Sequence, residues 1–410
     1  MESTSTNFGE KLIPQFRTSL DSRSLETLEA SIKLIVETKK RGGKVMVVTG
    51  SGPNIHEGVT TLIAEMIHKG LIDAVSTSSA VVAHEMGGAL DRVKRVDAQA
   101  LGLNSHFIPK GGLFELTQMS ESELIALERE MILDREIMQK ADDLALPGSI
   151  IKAAGNMAYP MGLRGELLAN KILKLAQYYG LTFEETVGYG CDRMTMLGAG
   201  AERGVPILVT IPQLIGGGRV GMAIGDSIPV SQRSILIAKM LEQSDVIIES
   251  AVALTQEIHD GPLECYTGHG IWSWWNGEHT FSLKGKSLIR FDLDENLRKA
   301  VDLEHASHTI QEAIDKGLPK TKVAKIPFRM EMSAFARHEG SLPVVGDIGK
   351  IWPVLAFEVA RQLGVTLEFL SASQDTPEGE SMREWIVKYI KPFDREKMIE
   401  KLDKITTFAP

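Results

Sequence analysis

Residues 256–277 combine carboxylates, imidazoles and indoles in a pattern that suits the binding of an amine. The segment reads QEIHDGPLECYTGHGIWSWWNG and holds three of the chain's five tryptophans. Carboxylates beside aromatic faces bind a cationic amine through ion pairing and cation–π contact, and histidines exchange protons near neutral pH. A tryptophan-rich subunit interface is the alternative. The candidate substrate ligands are Glu257, Asp260, Glu264 and Trp274, and the candidate catalytic proton carriers are His259 and His269.

A glycine cluster between the apolar residues 205–211 and Asp226 predicts a ligand-binding loop. The run VPILVTI is typical of a buried parallel strand, and Gly216, Gly217 and Gly218 follow it. Consecutive glycines let a backbone approach a ligand closely. Open α/β sheets bind their ligands at the carboxyl ends of such strands. A plain flexible turn is the alternative.

Two loops near the N-terminus offer groups for phosphate and ribose. Residues 49–58, TGSGPNIHEG, join a strand to a helix whose first amides would face an anion such as a pyrophosphate. Residues 76–85, STSSAVVAHE, offer hydroxyls to a ribose or a phosphate, or else Ser78 or Ser79 caps the next helix. His56 and Glu57 fit either catalysis or a first helical turn.

The loop GDIGKIW, residues 346–352, carries one carboxylate and one lysine. Asp347 stands where a carboxylate could hold ribose hydroxyls. Lys350 would act as a Schiff-base or general-base group if it were desolvated, and is otherwise a surface lysine. Elsewhere, Cys191 beside Arg193 is either a thiol of lowered pKa or an ordinary loop cysteine.

These loops require a framework in which strands and helices alternate. The pattern is typical of βαβ units, and it predicts an α/β fold: a Rossmann-like, mostly parallel sheet with helices on both faces. We expect one large domain over residues 1–410, with an N-terminal helix near 23–40 and a C-terminal helix near 380–404. Apolar runs predict strands at residues 44–49, 72–77, 205–211, 245–250, 287–292, 325–330, 342–345 and 366–370. Helical periodicity predicts helices at residues 24–40, 59–69, 120–144, 162–180 and 380–390.

The amino-acid composition argues against several classes of binding partner. The net charge is −9 over 410 residues and the basic residues are dispersed, which argues against nucleic acid or an anionic membrane as a partner. No apolar run is long enough to span a bilayer, and the N-terminus lacks a signal-peptide core. The two cysteines fit a reducing cytoplasm, and no Cys/His spacing suggests a zinc site. We therefore expect a cytoplasmic protein without a bound metal.

Three segments together resemble the deoxyhypusine synthase-like NAD-binding superfamily, which includes deoxyhypusine synthases and archaeal-type ornithine cyclodeaminases with a LOR/SDH-like domain. They are residues 47–85, residues 205–227 (VPILVTIPQLIGGGRVGMAIGDS) and residues 342–360 (LPVVGDIGKIWPVLAFEVA). The resemblance implies a homotetramer and NAD as the cofactor. The lysine-bearing Gly-Gly-Gly-Val-Val-Lys-His-type segment of deoxyhypusine synthases is not present. The implied NAD ligands are Ser51, Asn54, Thr77, Ser78, Ser79, Glu85, Gly217, Asp226 and Asp347.

The resemblance implies hydride abstraction by NAD from the amine-bearing carbon of an amine or amino acid. The resulting imine would be attacked, hydrolysed or cyclised, as in the ornithine cyclodeaminases, which makes the protein a transferase or lyase. The protein would supply cofactor placement and electrostatics. One alternative is a deoxyhypusine or homospermidine synthase-like aminobutyl transferase with Lys350 or another lysine as the amine carrier. Another is a non-catalytic, NAD-sensing oligomer.

Overall fold

Parallel strands form the centre of the molecule in the computed structural model. The structure describes residues 4–50, 52–90, 93–97, 102, 113–118, 121–129, 149–153, 160–211, 218–250, 281–327 and 330–406. The strands are β1 (Val45–Thr49), β2 (Ala74–Thr77), β3 (Val93–Asp97), β4 (Leu113–Gln118), β5 (Ser149–Ala153), β6 (Ile207–Val209), β7 (Val246–Ser250), β8 (Ser287–Asp292) and β9 (Ser341–Val345).

Helices connect and cover these strands. None of the helices in the described ranges is both long and apolar enough to cross a membrane. They are α1 (Thr4–Ser19), α2 (Ser22–Lys40), α3 (Pro53–His56), α4 (Val59–His68), α5 (Ser79–Met86), α6 (Glu121–Glu128), α7 (Pro160–Tyr179), α8 (Phe183–Gly188), α9 (Met196–Arg203), α10 (Gly218–Ser227), α11 (Val230–Gln243), α12 (Glu295–Ser307), α13 (Thr309–Asp315), α14 (Lys320–Ala324), α15 (Met330–Arg337), α16 (Ile348–Gln362), α17 (Pro377–Tyr389) and α18 (Arg395–Thr406).

The larger sheet has six strands in the order β6-β2-β1-β7-β8-β9, and every neighbouring pair is parallel. Alternate residues along each strand enter two separate cores. Val47 and Ile248 pack with α2, α4 and α16, whereas Val48 and Ile247 pack with α11 and α12. This arrangement confirms the predicted Rossmann-like α/β fold. Because both faces are covered, the strands are continuous apolar runs that the sequence makes visible.

A second, antiparallel sheet of order β3-β4-β5 lies between α5 and α7 in the chain. The sequence did not predict it. Its strands mix charged and apolar residues, and Arg95, Glu115 and Lys152 are paired in one register row. Such a pattern lacks the long apolar run by which the strands of the larger sheet are recognised.

Two of the predicted strands are wrong. Over residues 325–330, Lys325 takes a left-handed φ of +55° directly after α14, and Met330 begins α15. Over residues 366–370, the amide of Glu368 donates to Glu65 Oε1 at 2.6 Å and is not available to a neighbouring strand. The apolar residues that suggested strands, Ile326 in the first run and Leu367, Phe369 and Leu370 in the second, are buried in the core without belonging to the sheet. Of the helix predicted at 120–144, residues 121–128 form α6, and residues 130–148 lie outside the described part.

Candidate functional site

Between β1 and β7 the order in which strands are added to the sheet changes direction, and this point divides the carboxyl edge of the sheet into two halves. From β1 the chain proceeds to β2 and β6 on one side, and from β7 to β8 and β9 on the other. In chain order the sheet is 3-2-1-4-5-6, the order of doubly wound dinucleotide-binding folds, whose ligands bind outside the carboxyl ends at this divergence. Thr49 and Ser250 end β1 and β7 and are paired in register. The crevice above them is the candidate site.

A buried hydrogen-bond network forms the floor of this crevice. Asn54 Nδ2 donates to the carbonyl oxygen of Ser250 at 3.1 Å, and Ser250 Oγ donates to Asn54 Oδ1 at 2.7 Å. Trp352 Nε1 donates to the same Ser250 Oγ at 2.8 Å. Asn54 therefore lies at the crevice, and its side chain anchors the loop after β1 to the end of β7. Gly52 in that loop has a φ of +55°, which favours glycine.

Two neighbouring strands, β1 and β2, end on a threonine, and Thr210 directly follows β6, one residue past Val209, the register partner of Thr77. We call Thr49, Thr77 and Thr210 the hydroxyl row. Val48 pairs with Ser76, so Thr49 and Thr77 are the next pair in register, and the amide of Thr210 donates to the carbonyl oxygen of Thr77 at 2.8 Å. All three side chains are at most 1% exposed. Their hydroxyls, with that of Ser76, have no hydrogen-bond partner among the described residues. A buried hydroxyl without a partner is costly, so the row marks a place for a polar ligand.

The residues after β2 have different roles. Ser78 caps α5, because its Oγ accepts a hydrogen bond from the amide of Val81 at 3.2 Å. Ser79 is fully buried in the first turn. Glu85 lies at the other end of α5, where it accepts hydrogen bonds at 2.9 Å from the amides of Met196 and Leu197. Burial raises the pKa of Glu85 to about 7. Its contacts are with α9, so the structure does not bring it to the crevice.

A cluster of carboxylates surrounds the start of α16. Asp347 caps this helix: its Oδ1 accepts from the amide of Gly349 at 2.9 Å, and its Oδ2 accepts from Ser373 Oγ at 3.0 Å. Glu57 Oε2 accepts from the amide of Gln374 at 2.7 Å. A Cβ on Gly349 would lie 2.3 Å from that Glu57 oxygen, so only glycine fits there. Burial raises the pKa of Glu57, and the nearby charge of Asp347 adds to the rise.

Lys350 is an ion-paired residue of the same cluster. Its Nζ lies 3.7 Å from Asp347 Oδ2 and 3.5 Å from Asp375 Oδ2, and its side chain is 23% exposed. Both carboxylates pair with the ammonium, and the side chain is partly exposed to solvent. The desolvated lysine that a Schiff-base role requires is therefore not what this position provides.

A buried ion pair fixes both flanks of the glycine-rich loop. Glu184 Oε1 accepts from the amide of Val209 at 2.8 Å and is paired with Arg233 Nη1. Arg233 Nη2 donates to the carbonyl oxygen of Ile224 at 2.9 Å and to Ser227 Oγ at 3.3 Å. Both charged side chains are fully buried. The pair connects the end of β6 to the last turns of α10 and thereby positions the chain on either side of residues 212–217.

Some predicted residues lie away from the crevice. Asp226 is exposed in the last turn of α10, where its carbonyl oxygen accepts from Gln177 Nε2 at 3.3 Å. Cys191 is fully buried, and burial raises its pKa well above the ordinary value, so the reactive-thiol interpretation is wrong. Outside the described residues lie Ser51, Gly217, Glu257, His259, Asp260, Glu264, His269 and Trp274.

Sequence reasoning missed a charged group at the ends of β7 and β8. Arg290 Nη1 lies 3.5 Å from Glu249 Oε2, and Arg290 Nη2 lies 3.0 Å from Asp292 Oδ2. The guanidinium also stands 5.5 Å from the ring centroid of Phe335. Glu249 and Arg290 are at most 1% exposed. The available signal was a charged residue inside each of two apolar strands, VIIES and SLIRFD.

No protein-family model and no curated protein matches the chain. Among solved structures it is similar to apo ArgZ, an arginine dihydrolase of the cyanobacterial ornithine–ammonia cycle (12% identity, TM-score 0.38, 84% of this chain and 32% of that chain). It is also similar to AgrE in complex with ornithine and NAD+ (13%, 0.39, 84% and 34%). A third is a putative LOR/SDH protein from Methanococcus maripaludis S2 (12%, 0.33, 81% and 68%). The chain spans about a third of the length of ArgZ and AgrE. The fold class rests on the strand order of the chain itself.

Proposed function

We propose that this chain binds a nicotinamide dinucleotide across the crevice between β1 and β7 and acts on a small amine or amino acid beside it. One observation carries the proposal. At a single sheet edge, the 3-2-1-4-5-6 strand order coincides with a row of buried hydroxyls that lack a partner among the described residues. The strand order predicts where the ligand lies, and the hydroxyl row supplies polar groups for it.

The residues at the crevice fit such a ligand by their chemistry. The hydroxyls of Thr49 and Thr77 can donate to and accept from ribose and pyrophosphate oxygens. The carboxylate of Asp347 already accepts two hydrogen bonds but is 32% exposed, which leaves lone pairs for ribose hydroxyls. Ser51 and Gly217 remain predicted ligands from the resemblance.

When bound, the nicotinamide would supply the hydride acceptor that converts the amine-bearing carbon of the substrate to an imine. The chain's own groups would bind the substrate ammonium and carry its protons. These groups belong to residues 251–280, which directly follow Ser250 in the sequence. The proposed ammonium ligands are Glu257, Asp260, Glu264 and Trp274, and the proposed proton carriers are His259 and His269.

The ion pairs of Lys350 favour this chemistry over an aminobutyl transfer. A transferase of the deoxyhypusine synthase type requires a lysine whose amine attacks the substrate, whereas the ammonium of Lys350 is engaged by Asp347 and Asp375. A homotetramer, implied by the resemblance, remains a prediction, and light scattering tests it. A non-catalytic NAD sensor is the remaining alternative, and an assay of amine turnover distinguishes it from an enzyme.

The test has a binding step and a turnover step. Calorimetry with NAD+ should show binding to the wild-type protein, weakened roughly two- to tenfold in Thr77→Val, which removes one hydrogen bond. Thr38→Val is the matched control, because its buried hydroxyl also lacks a described partner but lies in α2, before β1 begins. Its affinity for NAD+ should equal that of the wild type.

Turnover is measured as NADH formation, or as tritium release from labelled substrate, with ornithine, lysine, putrescine and spermidine. A signal with at least one of these amines supports the enzyme. Binding of NAD+ without turnover of any amine favours the sensor. Absence of binding of both NAD+ and NADP+ would overturn the proposed function.

A further inference from the structure

The end of β2 carries hydroxyl groups where NAD-specific folds carry a carboxylate. In those folds an acidic residue at this position binds the 2′-hydroxyl of the adenosine ribose, and an arginine replaces it where a 2′-phosphate is accepted. Here β2 ends on Thr77, and Ser78 and Ser79 follow. The next acidic residue in the chain is Glu85, whose carboxylate is bonded to the amides of α9. No described carboxylate directly after β2 would therefore repel a phosphate.

A cation stands at the start of the neighbouring helix. Helix α10 packs against α5, and both helices begin after strands at the carboxyl edge. Arg219, in the first turn of α10, is exposed and forms no ion pair with any described residue. Its amide donates to Glu166 Oε1 and Oε2 at 3.1 and 3.0 Å. Glu166 thus occupies an amide at the start of α10, and the guanidinium of Arg219 is an exposed cationic group at that end of the helix.

Two buried hydroxyls that lack described partners lie at the carboxyl ends of β2 and β6. The hydroxyls of Thr77 and Thr210 are at most 1% exposed and have no partner among the described residues. Thr77 ends β2 and is paired in register with Val209, the last residue of β6, and the amide of the following Thr210 donates to the carbonyl oxygen of Thr77. Hydroxyl donors and a guanidinium together are the groups that recognise a phosphate monoester.

We propose that the ribose pocket beside the end of β2 accepts a 2′-phosphate, so that NADP+ binds at least as tightly as NAD+. The proposal rests on the proposed dinucleotide site and deepens it. The hydroxyl of Thr77 donates to the ribose or its phosphate, and Arg219 pairs with the phosphate charge. The capping hydroxyl of Ser78 keeps α5 in place beneath the pocket.

Calorimetry with NAD+ and NADP+ tests this specificity in the full chain. The wild type should bind NADP+ with a Kd equal to or lower than that for NAD+. Arg219→Gln should lower the preference for NADP+ at least tenfold. Ser78→Asp introduces the missing carboxylate while keeping a good N-cap. It should also lower that preference, measured as the ratio of the Kd for NAD+ to the Kd for NADP+, at least tenfold. Ser78→Asn, a neutral cap of the same size, is the control and should keep the wild-type ratio.

The outcomes separate the two proposals. Binding of NAD+ at least tenfold tighter than NADP+ by the wild type would overturn the specificity and leave the proposed function standing. An unchanged ratio in both Arg219→Gln and Ser78→Asp would overturn it as well. Binding of neither dinucleotide would overturn both proposals.

Discussion

Replacing Thr49 with valine should make the protein more stable and its dinucleotide binding weaker. The Thr49 hydroxyl is fully buried and has no partner among the described residues. Valine has nearly the same shape and fits a strand equally well, so the substitution removes the buried polar group and little else. Ser250, its register partner on β7, is also fully buried, but its hydroxyl accepts from Trp352 Nε1 and donates to Asn54 Oδ1.

The two substitutions should therefore change stability in opposite directions. Burying a hydroxyl without a partner costs about 1–3 kcal/mol, and removing the Thr49 hydroxyl should raise the free energy of unfolding by about 1 kcal/mol, the lower end of that range. Ser250→Ala leaves one donor and one acceptor unpaired in the core. At about 1–3 kcal/mol for each group, it should lower the free energy of unfolding by about 2–6 kcal/mol.

Bound NAD+ should remove the stability advantage of Thr49→Val over the wild type. With NAD+ at 100 times its wild-type Kd, binding adds about 2.7 kcal/mol to the unfolding free energy of the wild type. If the lost hydrogen bond raises the Kd tenfold, the same concentration adds only about 1.4 kcal/mol to the variant. The advantage of the variant without ligand then disappears.

Urea unfolding followed by tryptophan fluorescence, without and with NAD+, measures these differences. Thr38→Val is the control: it should gain stability in the same way as Thr49→Val and keep that gain when NAD+ is present. The reasoning is refuted if Thr49→Val is less stable than the wild type without ligand, or if Ser250→Ala is equally stable.

Two further predictions concern buried charges outside the crevice. The pKa of Glu85 rises from 4.5 to about 7 on folding, so its contribution to stability is complete below pH 4.5 and is lost as the pH rises through 7, a change of about 3 kcal/mol. Glu85→Gln should flatten the dependence of the unfolding free energy on pH between 4.5 and 7, and an unchanged slope would contradict this assignment. Arg233→Met leaves the buried Glu184 carboxylate without its cation and should lower the unfolding free energy by about 3–5 kcal/mol. A loss below about 1 kcal/mol in urea unfolding would show that the pair contributes little.

Strand positions in the larger sheet were predictable because both faces of that sheet are buried. The predicted strand at 287–292 agrees with β8 at both ends, and the prediction at 245–250 differs from β7 by one residue. The same signal failed at 325–330 and 366–370, because a few buried apolar residues such as Ile326 and Leu367 give the same local pattern whether or not a strand lies beside them. The small sheet escaped prediction because its strands lack such runs.

The candidate site was only partly predictable. The resemblance directed attention to Asn54, Thr77 and Asp347, and all three lie at the carboxyl edge of the sheet. It did not reveal that Asn54 anchors a loop or that Asp347 caps α16, because both roles depend on partners distant in the chain. Asp226 follows the glycine cluster in sequence, but α10 carries it away from that edge.

By itself the sequence determined where the strands of the larger sheet lie and that polar loops follow them, because burial on both faces and turn chemistry leave local patterns. Only the tertiary structure decided which strand ends meet. Asn54 and Ser250 are 196 residues apart in the chain and hydrogen-bonded in the fold, and the hydroxyl row exists only because β6, β2 and β1 lie side by side. Strand order follows from the packing of helices on the sheet faces, which depends on the whole chain. A local pattern therefore predicts the polar groups of this site but not their convergence.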